Sequence, residues 1–528
     1  MNAAELPPAV TAAIDGWLRE AGADDADAAW LLCDRHDPEA RAFTFVAADL
    51  SARAVTYGEL ADRSRRMATV LQGLGVERGH RVAVLMGKRL ELVVSLLAIW
   101  RLGAVHVPLF TAFAPAAIEM RLRSSRVRLV ISEPSQSAKL DGMDGVSVLE
   151  AGAALDARIG ACSPFGERVP VGGRGQLIEL YTSGTTGSPK AVPVPVRALA
   201  AFRAYLHYGL DVAAGDVLWN AADPGWAYGL YYAVLGPLAH GRANLLLEGG
   251  FDPRMTYAVI EKFAVSNFAG APTMYRSLLN VPAGPAPRLR RASSAGEPLT
   301  PDVTAWAAEA LGTEVRDHYG QTEQGMVIVN GWHDAIRAPV RPGSMGRALP
   351  GFAPAVVDGQ IALDTASSPL SWFEGYVEAP ERTTERFTPD GRWYLTGDTG
   401  RADADGFFYF SARDDDVILA AGYRIGPFDV ESALIAHPAV AEVAVVGAPD
   451  DLRGEIVVAH VVLADGARPG LQFETELQDL VRTRYSAHAY PRRVHIVGSL
   501  PKTPSGKIQR FLLRRAEPGT ATEPVPEQ

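Results

Sequence analysis

Cysteine is scarce in this sequence. Among 528 residues only Cys33 and Cys162 occur, far apart and in no CxxC or other metal-ligand spacing. That argues against a disulfide framework or a zinc site and fits a reducing, cytoplasmic setting. Long apolar runs are missing too. The most tempting one, Leu92 to Trp100, is stopped by Arg101 and is too short to cross a bilayer. The N-terminal MNAAELPPAV has no basic stretch leading into an apolar one, so neither secretion nor a membrane span is expected. Charge of one sign is concentrated nowhere. The 51 basic and 61 acidic residues give a net charge of -10 spread along the chain, which leaves no footprint for nucleic acid or an anionic membrane.

What remains is an ordinary soluble composition, 48% hydrophobic and 21% charged, in a chain too long for one hydrophobic core. The predicted fold class is α/β. From about residue 80, β-branched runs alternate with helical patterns: strands at 81–86, 105–109 and 127–132, helices at 90–102 and 117–125. The rhythm returns with strands at 217–220, 244–247, 266–269 and 289–293, giving two doubly wound lobes. Beyond Arg341, short strands and frequent turns (Pro350-Gly351, Asp358-Gly359, Asp390-Gly391, Asp405-Gly406) suggest a small β-barrel-like piece. A charged break at Arg413 to Asp416 then precedes a compact pattern: helices at 427–436 and 474–485, strands at 442–446, 456–462 and 493–497. The expected division is a large N-terminal domain, 1–414, a small mobile α+β C-terminal domain, 415–516, and a disordered polar tail, 517–528.

The most distinctive segment is Tyr181 to Lys190, YTSGTTGSPK, where glycines, a proline and a run of Thr and Ser end in a lysine. Such a loop can turn backbone N–H groups and hydroxyls toward an anion, with lysine as counter-charge. It is not a Walker A loop, because Lys190 follows Pro189 and precedes Ala191. Taken alone, a loop of this composition is more often a flexible linker, a reading that the flanking apolar strand at 177–181 and the terminal lysine weaken.

YTSGTTGSPK resembles the phosphate loop of the adenylate-forming superfamily, and four further segments match in order. They are Ser294-Ala295-Gly296-Glu297-Pro298, Asp317-His318-Tyr319-Gly320-Gln321-Thr322-Glu323, Tyr394 to Asp398 with Arg413, and LPKTPSGKIQR at Leu500 to Arg510. The run GYRIGPFDVESALIAHPAV and the pair Tyr490-Pro491 look closest to medium-chain acyl-CoA synthetases. The resemblance implies a two-step, AMP-forming carboxylate–CoA ligase that uses ATP, Mg²⁺ and coenzyme A. By that resemblance Thr182, Ser183, Gly184, Thr185, Thr186, Gly187 and Lys190 hold the phosphates, and Thr322 contacts the α-phosphate. Glu323 takes the metal, and Gly296, Glu297, Pro298 and Asp317 to Gln321 hold the nucleotide. Asp398 takes the ribose hydroxyls beside Arg413, and Lys507 bridges the attacking carboxylate and the α-phosphate. Asp415 corresponds to the hinge. Ala421, Gly422, Tyr423, Arg424 and Arg453 correspond to the CoA side, and Trp226, Ala227, Tyr228, Ala295 and Gly320 to the acyl pocket. The implied partners are a small carboxylic acid, ATP and CoA, with a homodimer left open.

Several positions depart from the common pattern: Ala191 after the loop lysine, Val196 where many members have His, Ala412-Arg413-Asp414-Asp415-Asp416 for GRxDD, and Leu419 for a lysine after the hinge. These touch hinge details and spare the residues assigned to ATP. Acetate-specific members carry Trp where this chain has Gly320, so the expectation is an opened pocket for an apolar acid of medium length or a bulky cyclic one. The competing readings are acyl transfer to a carrier-protein thiol and a nucleotide-binding pseudoenzyme. The GYR segment and Arg453 favour CoA, and intact Thr186, Glu323, Asp398, Arg413 and Lys507 speak against the pseudoenzyme.

Overall fold

Strands buried on both faces set the architecture. All of Val105–Leu109 and all of Asn244–Leu247 are buried, as expected for central strands of parallel sheets covered on both sides by helices. A computed structural model describes residues 6–182, 190–281, 289–413, 416–420, 423–450, 453–468, 470, 472–486, 488–502 and 507–517. The site residues expected at 183–187, 415, 421 and 422 lie outside these, as do the side chains of Tyr423 and Arg424.

The first lobe is a six-stranded sheet ordered Ser147–Glu150, Leu129–Ser132, Arg81–Leu85, Val105–Leu109, Gln176–Thr182, Lys190–Pro195. Its first five strands run parallel, and the last two form an antiparallel pair in which Thr182 faces Lys190 directly. The candidate phosphate loop is therefore the connection of this pair. The second lobe is a nine-stranded sheet. Its parallel centre joins Val315–Gln321, Arg291–Ala295, Asn267–Gly270, Leu218–Asn220 and Asn244–Leu247. Beyond these, Arg41–Val46 pairs parallel with Asn244–Leu247, so a segment from the start of the chain completes the second lobe. Gly325–Val329 closes the other side antiparallel to Val315–Gln321. The turn-rich region beyond Arg341 supplies a four-stranded antiparallel sheet containing Gln360–Asp364, Trp393–Ala402 and Phe408–Arg413.

The last part has its own sheet, built on the long antiparallel pair Val440–Asp450 and Gly454–Leu463, with Arg493–Ile496 parallel to the latter. It has its own apolar core, including Val430, Leu434, Val445, Val461, Leu477 and Val481. Helix Pro427–Leu434 leans on the Phe408–Arg413 strand, where the Phe410 and Phe428 rings meet at 6.1 Å. Glu517, placed with the polar tail on sequence, is instead buried. One of its carboxylate oxygens lies 3.2 Å from His460 Nε2 and 3.1 Å from His495 Nε2.

Candidate active site

The C-terminal ends of the second lobe's parallel strands meet the four-stranded sheet and the last unit, and the expected site residues collect there. Asp398 is at the centre, its side chain 4% exposed. Its Oδ2 accepts from the Tyr319 hydroxyl at 2.5 Å and from Gln321 Nε2 at 2.6 Å. Tyr319 and Gln321 are two apart on one strand and so project from the same face. Asp398 Oδ1 faces Arg413 Nε at 3.3 Å, a contact fixed by register, because the two residues are directly opposed across Trp393–Ala402 and Phe408–Arg413. Gln321 is held in turn by the Tyr394 hydroxyl on Oε1 and by the Thr396 carbonyl.

Among the described residues, three buried side-chain oxygens here have no hydrogen-bond partner: Ser294 Oγ, Asp317 Oδ1 and Asp398 Oδ1. Ser294 and Asp317 are cross-strand neighbours. Native proteins rarely leave buried polar atoms unmatched, and a group of them marks a place where a ligand supplies the donors. Burial with little compensation raises the Asp317 carboxyl to a pKa of about 8. Gly296 follows Ser294 and Ala295 at φ 101°, turning the chain away from the strand end. Glu297 is anchored by Thr273 Oγ1 at 2.6 Å and Arg276 Nη2 at 2.9 Å. His318, by contrast, is committed to the fold: its ring is buried between the Tyr205 hydroxyl and the Asn330 carbonyl.

Glu323 is buried and accepts from the Tyr376 hydroxyl at 2.8 Å. Arg386 Nε reaches the same hydroxyl at 3.2 Å, and its Nη1 bonds the Thr396 carbonyl. Gly397 lets that guanidinium approach: it adopts φ 72°, and a Cβ there would stand 2.6 Å from Arg386 Nη1. Lys190 lies 5.1 Å over the Tyr376 ring. Desolvation lowers its pKa, Arg386 and Arg382 lower it further, and Glu323 works the other way. Tyr376 and Arg386 carried no local sequence signal. Only the fold brings them between Lys190 and Glu323. Among the described residues no group of three or more His, Cys, Asp or Glu is arranged for a metal. A lone buried carboxylate still suits Mg²⁺, which is commonly held by one or two carboxylates together with substrate phosphates and water.

Lys507 enters this cleft from the last unit. Its side chain is exposed to solvent and lies within electrostatic reach of Glu297, Arg413, Asp398 and Glu323. Lost hydration pulls its pKa down, Arg413 adds to that, and the three carboxylates oppose it. The helix after the lysine is tied back by charge. Arg510 Nη2 donates to both carboxylate oxygens of Glu431 at 2.7 and 2.8 Å, its Nη1 lies 3.7 Å from Asp416, and Arg514 also pairs with Asp416. Asp416, next to the expected hinge, is thus bound to the helix that follows Lys507. Arg453 sits apart on the hairpin of the last sheet, its backbone N–H on Asp450 Oδ1.

At the expected acyl pocket, the Trp226 ring packs on Phe110 and Phe113 with centroids 5.1 and 5.6 Å away. Tyr228 contacts Tyr205 and Tyr232, and Ala295 is buried. Gly320 requires a correction. The expectation was that its missing side chain opens the pocket, but a Cβ at Gly320 would lie 2.1 Å from the Gly325 carbonyl oxygen and 2.6 Å from Met326 Cα. Backbone of the neighbouring strand fills that place. The register shift between Tyr319 and Gly320 brings it there.

Buried polar atoms left unmatched, cations beside a buried carboxylate, and a lysine delivered by a separate unit are what an adenylate-forming ligase requires. Residues 33–362 match the family described as AMP-binding enzyme, and residues 429–507 match the AMP-binding enzyme C-terminal domain. The chain belongs to the AMP-binding enzyme family. It is 33% identical to acetyl-coenzyme A synthetase of Bacillus subtilis (strain 168) over 489 residues, 88% of this chain and 85% of that one. It is 34% identical to the mitochondrial acyl-coenzyme A synthetase ACSM3 of Rattus norvegicus over 498 residues, 88% and 84%. Among solved structures, the Brucella canis acyl-CoA synthetase is similar with a TM-score of 0.75 and 43% identity, covering 97% of each chain. The activity is that of an ATP-dependent acyl-CoA synthetase, which joins a carboxylic acid to AMP with release of pyrophosphate and then passes the acyl group to CoA. Among the described residues no helix is long and apolar enough to cross a membrane.

Proposed function

We propose that the acid activated is apolar, of medium chain length or bulky and cyclic, and that one cleft serves both half-reactions. The observation that carries the reading is Lys507, carried by the last unit to within electrostatic reach of Glu297, Arg413, Asp398 and Glu323. In the first step a carboxylate oxygen attacks the α-phosphorus, an acyl C–O–P linkage forms, and the bond to pyrophosphate breaks. Lys507 is the compact cation that offsets the repulsion between the two anions. Asp398 takes the ribose hydroxyls through Oδ1, since Tyr319 and Gln321 occupy Oδ2. Lys190 and Arg386 offset charge on the leaving pyrophosphate. Mg²⁺, when bound, would lie at Glu323 and neutralise phosphate charge.

In the second step the CoA sulfur attacks the acyl carbonyl, the bond to AMP breaks, and the thiol proton leaves to solvent. Lys507 must withdraw to admit the thiol, and rotation of the last unit about Asp415 supplies that withdrawal, with Asp416, Arg510 and Arg514 moving as one piece. The aromatic wall of Trp226, Phe110 and Phe113 supports an apolar acyl group. A pyrophosphate-release assay over short, medium, branched, aromatic and polycyclic acids tests the acid class. Medium-chain or cyclic acids should give the highest kcat/KM, and a clear preference for acetate would overturn the reading.

A further inference from the structure

Tyr228 ends a buried chain of polar atoms whose proton directions can be followed from its far end. The Asn330 carbonyl can only accept, and His318 Nε2 lies 3.4 Å from it. His318 is 2% exposed and neutral, burial holding its pKa at about 3. A neutral imidazole carries one N–H. Placed on Nδ1, it would turn the Nε2 lone pair against the carbonyl, so it belongs on Nε2. Nδ1 is then an acceptor, and the hydroxyl 2.7 Å from it, that of Tyr205, donates. Tyr205 is fully buried and has only that proton to give. Its 3.1 Å contact with the Tyr228 hydroxyl must therefore be donated by Tyr228.

Tyr228 is the one member of this chain with intermediate exposure, and its ring is fixed by edge contacts with Tyr205 and Tyr232. Its single proton is given to Tyr205, so any further partner of its oxygen meets only lone pairs. We infer that Tyr228 offers the acyl group an acceptor and no donor, so that acids bearing an O–H or N–H there are favoured over matched acids bearing a bare carbonyl oxygen. This rests on the reading of Tyr228 as a wall of the acyl pocket, and it narrows the acids further: an apolar body with one hydrogen-bond donor.

The test uses the full-length enzyme and pairs of hydroxy and oxo acids matched in chain length and substituent position, from four to ten carbons, with kcat/KM measured by pyrophosphate release. The hydroxy acid should be preferred about tenfold at one or more lengths, the ratio expected for a hydrogen bond of about 1.4 kcal/mol. Tyr228→Phe should erase the preference. Tyr205→Phe removes the acceptor that holds the Tyr228 proton and frees it to face the ligand, so the ratio should collapse or reverse toward the oxo acid. A purely structural role for Tyr205 would lower both rates together and leave the ratio unchanged. The inference is overturned if hydroxy and oxo acids are used equally at every length, or if Tyr205→Phe preserves the wild-type ratio. If none of these acids nor their unsubstituted parents is activated, the pocket reading fails and this inference with it. Thermal midpoints of both variants check that they fold, and the Tyr228→Phe ratio alone is decisive if Tyr205→Phe does not.

Discussion

Replacing Asp398 with Asn changes no volume and almost no shape, so its consequences can be worked from hydrogen bonds alone. The carboxylate accepts two short bonds on Oδ2, from Tyr319 and Gln321, and sets Oδ1 3.3 Å from the Arg413 guanidinium. An asparagine must put its NH₂ in one of those places. At the Oδ2 position it meets two donors, and at the Oδ1 position it meets a cation while leaving no acceptor there for a ribose hydroxyl. Either orientation forfeits at least one bond to a charged group, a loss of about 1.5 to 3 kcal/mol. If about 2 kcal/mol falls on nucleotide binding, KM for ATP rises about thirtyfold. The assay is acid-dependent exchange of labelled pyrophosphate into ATP, with ATP varied at saturating acid and the thermal midpoint measured alongside. A folded Asp398→Asn enzyme whose KM for ATP stays within twofold of wild type would refute the reasoning.

Three other substitutions address separate parts of the site. Tyr376→Phe removes the 2.8 Å bond to Glu323 and the anchor of Arg386 Nε, and should lower the exchange rate about tenfold while raising the Mg²⁺ needed for half-maximal rate. A magnesium titration reads both. Asp317 binds its proton up to about pH 8 when folded but only to about 3.8 when unfolded. Between those values the folded state holds the extra proton, so this group makes stability fall as pH rises, with no further change above pH 8 or below about 4. Asp317→Asn should remove that slope, seen as a smaller decline of the nucleotide-free thermal midpoint from pH 5 to 8. Gly320→Ala should lower the thermal midpoint by several degrees, since overpacking costs about 1 to 3 kcal/mol and the obstruction is backbone. A fully stable Gly320→Ala enzyme with a shifted acid preference would restore the open-pocket expectation.

The strands expected at 105–109 and 244–247 match their observed ends, because each is a short run dominated by Val or Leu with a glycine or charged residue close by, Gly103 before the first and Glu248 after the second. Asp398 and Lys507 were legible as members of ordered segments, and local pattern alone would not have singled them out. What could not be read depends on long-range register. Nothing near Arg41 announces a strand that pairs with Asn244–Leu247, since the two segments lie about two hundred residues apart and local pattern carries no register between them. Tyr376 and Arg386 look like ordinary members of a turn-rich stretch until the four-stranded sheet sets them beside Glu323. Gly320 is the complementary case. A sequence shows that a side chain is missing, but not that a neighbouring strand fills the room.

The claim that one lysine, carried on a rotating unit, serves only the first half-reaction is tested most directly with Lys507→Ala. Two rates are measured in the same preparation: acid-dependent pyrophosphate exchange, and thioester formation from supplied acyl-adenylate and CoA. The account predicts that exchange is abolished while thioester formation stays close to wild type. Equal loss of both rates would contradict it.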